Sequence, residues 1–357
     1  MNEIPAALPA FHSRSDYKAP EMGSIMESKI LVSEQDLINT YSKEDQFSCQ
    51  KYFEYKKLVQ ENPTFGYKKA AKLLGVKQGS TRWWHTEGEK KAIPNPLKVV
   101  QKLKEAGLLP FTENHKDAKI IFNILGTLFG DGGIDCRFNT VAFISSDIRD
   151  IDLWQEDLLK IFSFAVGKTQ IVEGGEYGHS YNFRCYDRAV IRFFAALGSP
   201  VGNKVSKKYF LPKWIFDSSE ELRIAFLDGL LASEVSVPRF RGDSRWAWTK
   251  RFCDFSLGLS KIDALEKEHR AYLGEVKRLC GTVDLTTTPN LRKELCKPTY
   301  RKDGHVSYNY RIFFQTHHEK VLAFNEKFDL KYAQDKKERL KQQVQLAKEH
   351  KALKRIY

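Results

Sequence analysis

The chain has 357 residues and 58 Lys and Arg against 45 Asp and Glu, a formal charge of +13 that, at this length, suits two or three domains meeting a polyanion, most simply nucleic acid. Its six cysteines form no CxxC pair, which argues against a zinc ribbon or a thioredoxin-like site and for reduced thiols. No signal-peptide pattern opens it, and its longest apolar run (120–130) is far shorter than the ~20 residues of a membrane span, so a cytoplasmic, nucleoid-associated protein with no membrane partner is expected.

Residues 1–45 carry four Lys/Arg against eight Asp/Glu. With few large apolar residues and no clear period, they read as a disordered or loosely ordered segment. Residues 46–111 reverse the balance, thirteen against five. From Ser48 the pattern is helical: Tyr52, Tyr55, Leu58 and Val59 share a face until Asn62-Pro63. A short helix with Ala70 and Ala71, a turn at Gly75 and a second short helix give a helix-turn-helix layout, glycine supplying the positive φ of the turn. The second helix would present Lys77, Gln78, Ser80, Thr81 and Arg82 to a DNA major groove, with Val76 filling the angle between the helices. The plain alternative is a helical hairpin with a solvated polar face. A helix bearing Leu97, Val100 and Leu103 follows, and Pro110 closes this small all-α domain.

The rest reads as one unit used twice. Residues 117–200 give a helix at 118–130, strands near 134–139 and 141–145, and a helix at 150–163. Strands near 169–173 and 180–185 and a helix at 187–197 complete that half. Ser146 and Asp147 are read as caps, so Asp147, Asp150 and Asp152 complement the positive end of the 150–163 helix rather than bind metal. A linker, 201–221, includes a stretch with four lysines and no acid at 201–213. Residues 222–330 repeat the order: helix 222–232, strands near 235–240 and 250–257, and helix 262–279. Strands near 282–287 and 306–314 and helix 317–327 follow. A basic helix closes the chain at 331–357, with nine Lys/Arg against three Asp/Glu.

The first helix of each half carries the strongest signal. One reads Ile124-Leu125-Gly126-Thr127-Leu128-Phe129-Gly130-Asp131-Gly132-Gly133-Ile134. The other reads Leu227-Asp228-Gly229-Leu230-Leu231-Ala232-Ser233-Glu234-Val235-Ser236-Val237. Small residues four apart (Gly126 and Gly130; Gly229 and Ser233) share a helix face and let another backbone approach closely. If those faces meet, Asp131 and Glu234 end side by side, a geometry suited to a divalent cation.

These two segments resemble the LAGLIDADG homing endonucleases in their single-chain, two-motif, archaeal-type form. Gly126, Gly130, Asp131 and Gly132 match at the first copy; Leu227, Gly229, Leu230, Leu231 and Glu234 match at the second. The stretches Leu197–Lys204 and Lys207–Ile215 look like the linker of archaeal-type members, and the likeness covers roughly 118–328. The resemblance implies an α+β fold: two pseudo-symmetric αββαββα halves forming a DNA-binding saddle, here preceded by the helix-turn-helix domain. It implies a monomer whose hydrolase activity cuts double-stranded DNA across the minor groove with Mg²⁺ or Mn²⁺. Asp131 and Glu234 would be the metal ligands, assisted by the backbone carbonyls of Gly130 and Ser233, with Lys204 near the scissile phosphates. Strand residues facing the groove would be Arg137, Asn139, Arg184, Arg239, Arg241, Lys250, Asn309 and Arg311. For each of these the plain alternative is a solvated surface charge.

The second motif departs from the family. Val235 stands where a glycine usually follows the acid, and a β-branched residue resists positive φ. A weakened centre there would give nicking in place of double-strand cleavage, or no cleavage. An inactive relative acting as a DNA-binding regulator, or as a maturase on structured intron RNA, is therefore the second reading. A protein-splicing element is disfavoured, because the chain begins with Met1 and ends Arg355-Ile356-Tyr357; a free-standing protein is expected.

Overall fold

The structure, a computed structural model, describes residues 29–86, 92–174, 179–240 and 252–353. Order begins well before residue 46. Strand β1 (Ile30–Val32) leads into helix α1 (Glu34–Asn39). Ser33 and Asp36 close that helix's N-terminus as a capping box, each side chain accepting from the other's backbone N–H. Leu31, Val32, Leu37 and Ile38 are buried. The expectation of a loose segment is thus corrected for 30–45: three- and six-residue elements are too short to show a period, and distant partners order them. Residues 1–28 lie outside the described residues.

Helix α2 (Lys43–Glu61) is followed by α3 (Tyr67–Leu74) and α4 (Gln78–His85). Gly75 between the last two sits in the left-handed region at φ 64°. Trp84 of α4 packs edge-on to Tyr52 and tilted against Tyr55, both at 5.6 Å between ring centres, and the Tyr55 hydroxyl meets His85 Nδ1 at 2.8 Å. Helix α5 (Asn95–Glu105) leads to β2 (Phe111–Thr112), which pairs with β1.

Residues 118–196 then run α6 (Ala118–Phe129), β3 (Gly133–Ile134), β4 (Val141–Ser145), α7 (Ile148–Ile161), β5 (Thr169–Glu173), β6 (Tyr181–Cys185) and α8 (Arg188–Ala196). Their antiparallel sheet has the order β3-β4-β6-β5. The N-terminal helices dock here. Lys102 of α5 donates to Asp187, the N-cap of α8, at 2.6 Å, and the Arg192 guanidinium lies between the Tyr41 and Phe138 rings at 3.9 and 3.8 Å.

From residue 220 the chain runs α9 (Glu220–Glu234), β7 (Val235–Ser236), a side ribbon of β8 (Arg239–Phe240) and β9 (Phe252–Cys253), β10 (Ser256–Ile262), α10 (Glu266–Gly281), β11 (Thr287–Lys293), the short β12 (Thr299–Tyr300), β13 (Val306–Phe314) and α11 (His318–Lys327). Its main sheet is β11-β13-β10-β7, with β12 pairing on β13. Helix α12 (Gln334–Leu353) follows. Among the described residues no helix is long and apolar enough to cross a membrane.

Three strand expectations are corrected. The strand read at 134–139 ends at Ile134, because the Asp135 carboxylate accepts from the backbone N–H groups of Arg137, Asn139 and Thr140 at 2.6–2.7 Å and tightens a loop. The strand read at 235–240 breaks at Pro238, which has no N–H to give a ladder. The strand read at 282–287 lies later, at β11.

The halves meet along α6 and α9. From Ile121 to Phe129, α6 is buried at every position, as α9 is from Ala225 to Ser233. A Cβ on Gly126 would stand 2.0 Å from the Phe226 carbonyl oxygen, and one on Gly229 2.0 Å from that of Asn123. Backbone therefore touches backbone. Across this seam Asn123 Nδ2 donates to Asp228 at 3.0 Å, a satisfied pair in an apolar setting. Gly126→Ala is expected to cost about 3 kcal/mol or more by overpacking. Gly274→Ala, on an open face of α10 with nothing within 4 Å, should gain up to ~1 kcal/mol. Urea denaturation of both variants checks this; equal stabilities would refute the close-contact seam.

Candidate functional site

The site grows out of the ends of the two seam helices. Helix α6 stops at Gly130, with φ −96° and ψ −117°. A Cβ there would lie 2.4 Å from Ser233 Cβ and 3.2 Å from Glu234 Cγ. The absent side chain is what lets the α9 terminus in, bringing Glu234 beside the residue that precedes Asp131. Glu234 is the last residue of α9, and Val235 continues extended at φ −79°, ψ 138°. No positive φ is needed there, so the expected conflict at Val235 does not arise.

Electrostatics match this crowding. Burial is the largest cause raising Glu234, the neighbouring Asp131 charge adds to it, and Lys204 and Lys336 oppose both, leaving Glu234 pushed up to about 8. Asp131 is also raised by burial, with Lys336 and Lys204 opposing. Asp131 nevertheless reaches solvent, on a recess of about 290 Å³ that it shares with Asp147, Lys336 and Arg339. Protein crowds its carboxyl on one side while the other stays open.

Each lysine caps one helix. Lys204 Nζ donates to the carbonyls of Gly130, Gly132 (2.6 Å) and Leu128 (3.3 Å). Lys336 Nζ donates to those of Ala232 (2.8 Å) and Ser233 (2.5 Å). Cations belong at the negative pole of a helix C-terminus. The sequence reading missed Lys336, placing it only in the basic C-terminal helix. The available signal was its place: like Lys204, it lies shortly after the last helix of its half. The Gly130 and Ser233 carbonyls, expected to face a cation, each accept from a lysine ammonium.

Among the described residues no group of three or more His, Cys, Asp or Glu gathers as a ligand cluster. What the site offers is two crowded carboxylates, both raised chiefly by burial and Glu234 further by the Asp131 charge. Such a hard oxygen pair fits a divalent cation that keeps most of its own waters.

The remaining expected contacts divide. Arg184 pairs with Ala142 and Gln170 across the first sheet, on the face opposite Phe183 and Cys185, both buried. Asn309 and Arg311 lie on the corresponding face of the second sheet, opposite Tyr310 and Ile312. Glu294 accepts from them at 2.9 and 2.8 Å, and Arg311 also donates to Ser256 at 3.1 Å. Arg292, which pairs with Arg311 on β11 and is exposed, was missed because that strand was misplaced. Arg137 and Asn139 are exposed on the β3–β4 loop rather than on a strand. Arg239 is exposed on the side ribbon and paired with Asp254 at 2.9 Å. Arg241 and Lys250 lie outside the described residues. On α4, Gln78 and Arg82 are exposed, as is its N-cap Lys77, and Ser80 is half-buried. Thr81 is a correction: it is fully buried and its hydroxyl donates to the Gln78 carbonyl at 3.0 Å, so it faces the packed interior and not a groove.

A raised carboxyl makes stability depend on pH with a definite sign. Folded Glu234 keeps a proton that the unfolded chain releases, so stability falls as pH climbs from about 5 toward about 8. Lys204, which burial pulls down to about 8, contributes with the opposite sign only above that value. Thermal denaturation in EDTA should show a lower midpoint at the alkaline end of this window, and Glu234→Gln should flatten the dependence. A wild type equally stable across the window would refute the crowded acid pair.

No family profile matches the sequence. The DNA-directed RNA polymerase subunit Rpo1N of Methanocaldococcus jannaschii is 27% identical over 237 residues, covering 61% of this chain and 17% of that protein. The tRNA-splicing ligase RtcB of the same organism is 27% identical over 255 residues, covering 67% of this chain and 24% of that protein. The chain thus spans less than a quarter of these curated relatives. Among solved structures, the homing endonuclease I-DmoI, crystallised with DNA and Mn, aligns with 55% of this chain and 90% of its own at 18% identity and a TM-score of 0.32.

Proposed function

We propose that this protein is a metal-dependent endonuclease acting on double-stranded DNA. The observation that carries the reading is the crossing of Gly130 with Ser233, which sets Asp131 and Glu234 at one seam between Lys204 and Lys336. Asp131 and Glu234 would hold Mg²⁺ or Mn²⁺. Such an ion, when bound, supplies activation of water and neutralisation of charge on the phosphate and the leaving oxygen. Lys204 and Lys336 place positive charge beside the same phosphates and keep the two helix ends in register. Arg184, Arg292, Asn309 and Arg311 would meet the duplex from the open sheet faces, and Lys77, Gln78 and Arg82 would add contacts from α4.

The curated relatives match this chain over a minor part of their own length. Neither whole protein's activity is carried over. A binding protein without cleavage, on DNA or on intron RNA, is the second reading. It is favoured by the two helix-end carbonyls that already accept from lysines.

Asp131→Asn compared with wild type decides between them, using DNA flanking the gene and a long random-sequence DNA library with Mg²⁺. Binding should persist, because the basic surfaces are untouched, while cleavage should fall at least about a hundredfold on loss of a ligand charge. Full cleavage by the variant would remove Asp131 from the reaction; binding by wild type with no cleavage under any divalent ion would establish the second reading. Arg82→Ala should weaken affinity or specificity and leave the metal-dependent step intact. An unchanged binding profile would withdraw α4 from the interface.

A further inference from the structure

The row Leu257, Leu259, Lys261 on β10 faces the core of the second half, yet its third member is a lysine only 1% exposed. Its ammonium donates to the carbonyls of Lys204 (2.5 Å) and Lys207 (2.6 Å) and lies 4.1 Å from the centre of the Tyr209 ring. Two carbonyls and an aromatic face are what offset the desolvation of that charge. All three belong to the linker between the halves.

The linker is tied on both sides. At its start, Val201 bridges Ile134 and the Gly202 N–H donates to the Ile134 carbonyl at 2.7 Å, both on β3 of the first half. A few residues on, the Ile262 N–H of β10 donates to the Val205 carbonyl at 3.1 Å. Lys204 stands between these ties, and its own ammonium reaches back to the end of α6. A side chain that spans such a gap needs its backbone held, and the buried ammonium beneath it does so.

We infer that Lys261 is a positioning residue: from the core of the second half it fixes the linker backbone that aims Lys204 at the Asp131 end of the seam. The site at the seam is thus built from both halves, and loss of the clamp frees Lys204 while leaving Lys336 on its own helix end. That Lys204 serves a reaction rests on the nuclease reading; that Lys261 holds it does not.

The test uses the full chain. Under brief native acetylation with acetic anhydride, read by mass spectrometry, Lys204 should react slowly in wild type. In Lys261→Met its rate should rise about tenfold, with Lys336 unchanged as the internal reference, because freeing one anchor of an ordered segment opens it locally. An unchanged Lys204 rate in a folded variant overturns the proposal. If the variant does not fold, hydrogen exchange on wild type decides: amides of 201–207 should be protected like the neighbouring strands, and exchange as fast as an open loop overturns the clamp. On any DNA that wild type cuts, Lys261→Met should slow cleavage about tenfold, since a small misplacement of a reacting-site group is costly. Cleavage at the wild-type rate by the folded variant overturns the positioning role. A wild type that cuts nothing counts against the nuclease reading alone, because the acetylation result still decides the clamp.

Discussion

The rest of this structure depends on backbone meeting backbone where α6 crosses α9. Gly126 and Gly229 each receive the partner helix's carbonyl in the space a side chain would take. The distance between the helices is set there, and the halves are carried along with it. Further down, Gly130 does the same for Ser233. The acids at 131 and 234 are neighbours as a consequence of that approach, each standing one residue beyond the contact of Gly130 with Ser233.

Such closeness is costly in charge. Two carboxyl groups crowded at a seam are raised by burial, and the Asp131 charge raises Glu234 further. The chain answers with two lysines at the same place, each satisfying the exposed carbonyls of one helix end. The lysines come from connecting segments, Lys204 from the linker and Lys336 from the start of α12. Buried partners hold both segments. Lys261 grips the linker, and Asp228, inside α9, accepts from the backbone of Leu330 and Lys331 just before α12. Asp228 interrupts an apolar helix in the sequence, and in the fold it joins the seam to the segment that delivers Lys336.

Legibility followed the physics of each signal. Long periodic helices such as 118–129 and the small-residue spacing on them could be read directly, since helical geometry turns spacing into a face. The turn at Gly75 could also be read, because few residues other than glycine adopt its φ. The capping role of Asp147 held for the same reason: a local side chain to backbone bond needs no distant partner. Short strands could not be placed. Arg137 and Asn139 were set on a strand that Asp135 folds into a loop, and the β11 register that exposes Arg292 depends on β13, a strand with its own distant partners. Thr81 looked like part of a polar recognition face, but rotation about a short helix is decided by what packs beneath it.

By itself the sequence determined the basic character of the chain, the two matched helices with an acid at each end, and the mixed α+β character of the chain from residue 118. Those are consequences of composition and of local periodicity. Only the tertiary structure decided that the acids adjoin, that Lys336 joins Lys204 beside them, that residues 30–45 belong to the fold, and that a lysine in an apolar strand row grips the linker. These facts rest on contacts between residues far apart in the chain, whose strength depends on burial and exact approach, and no local pattern encodes either.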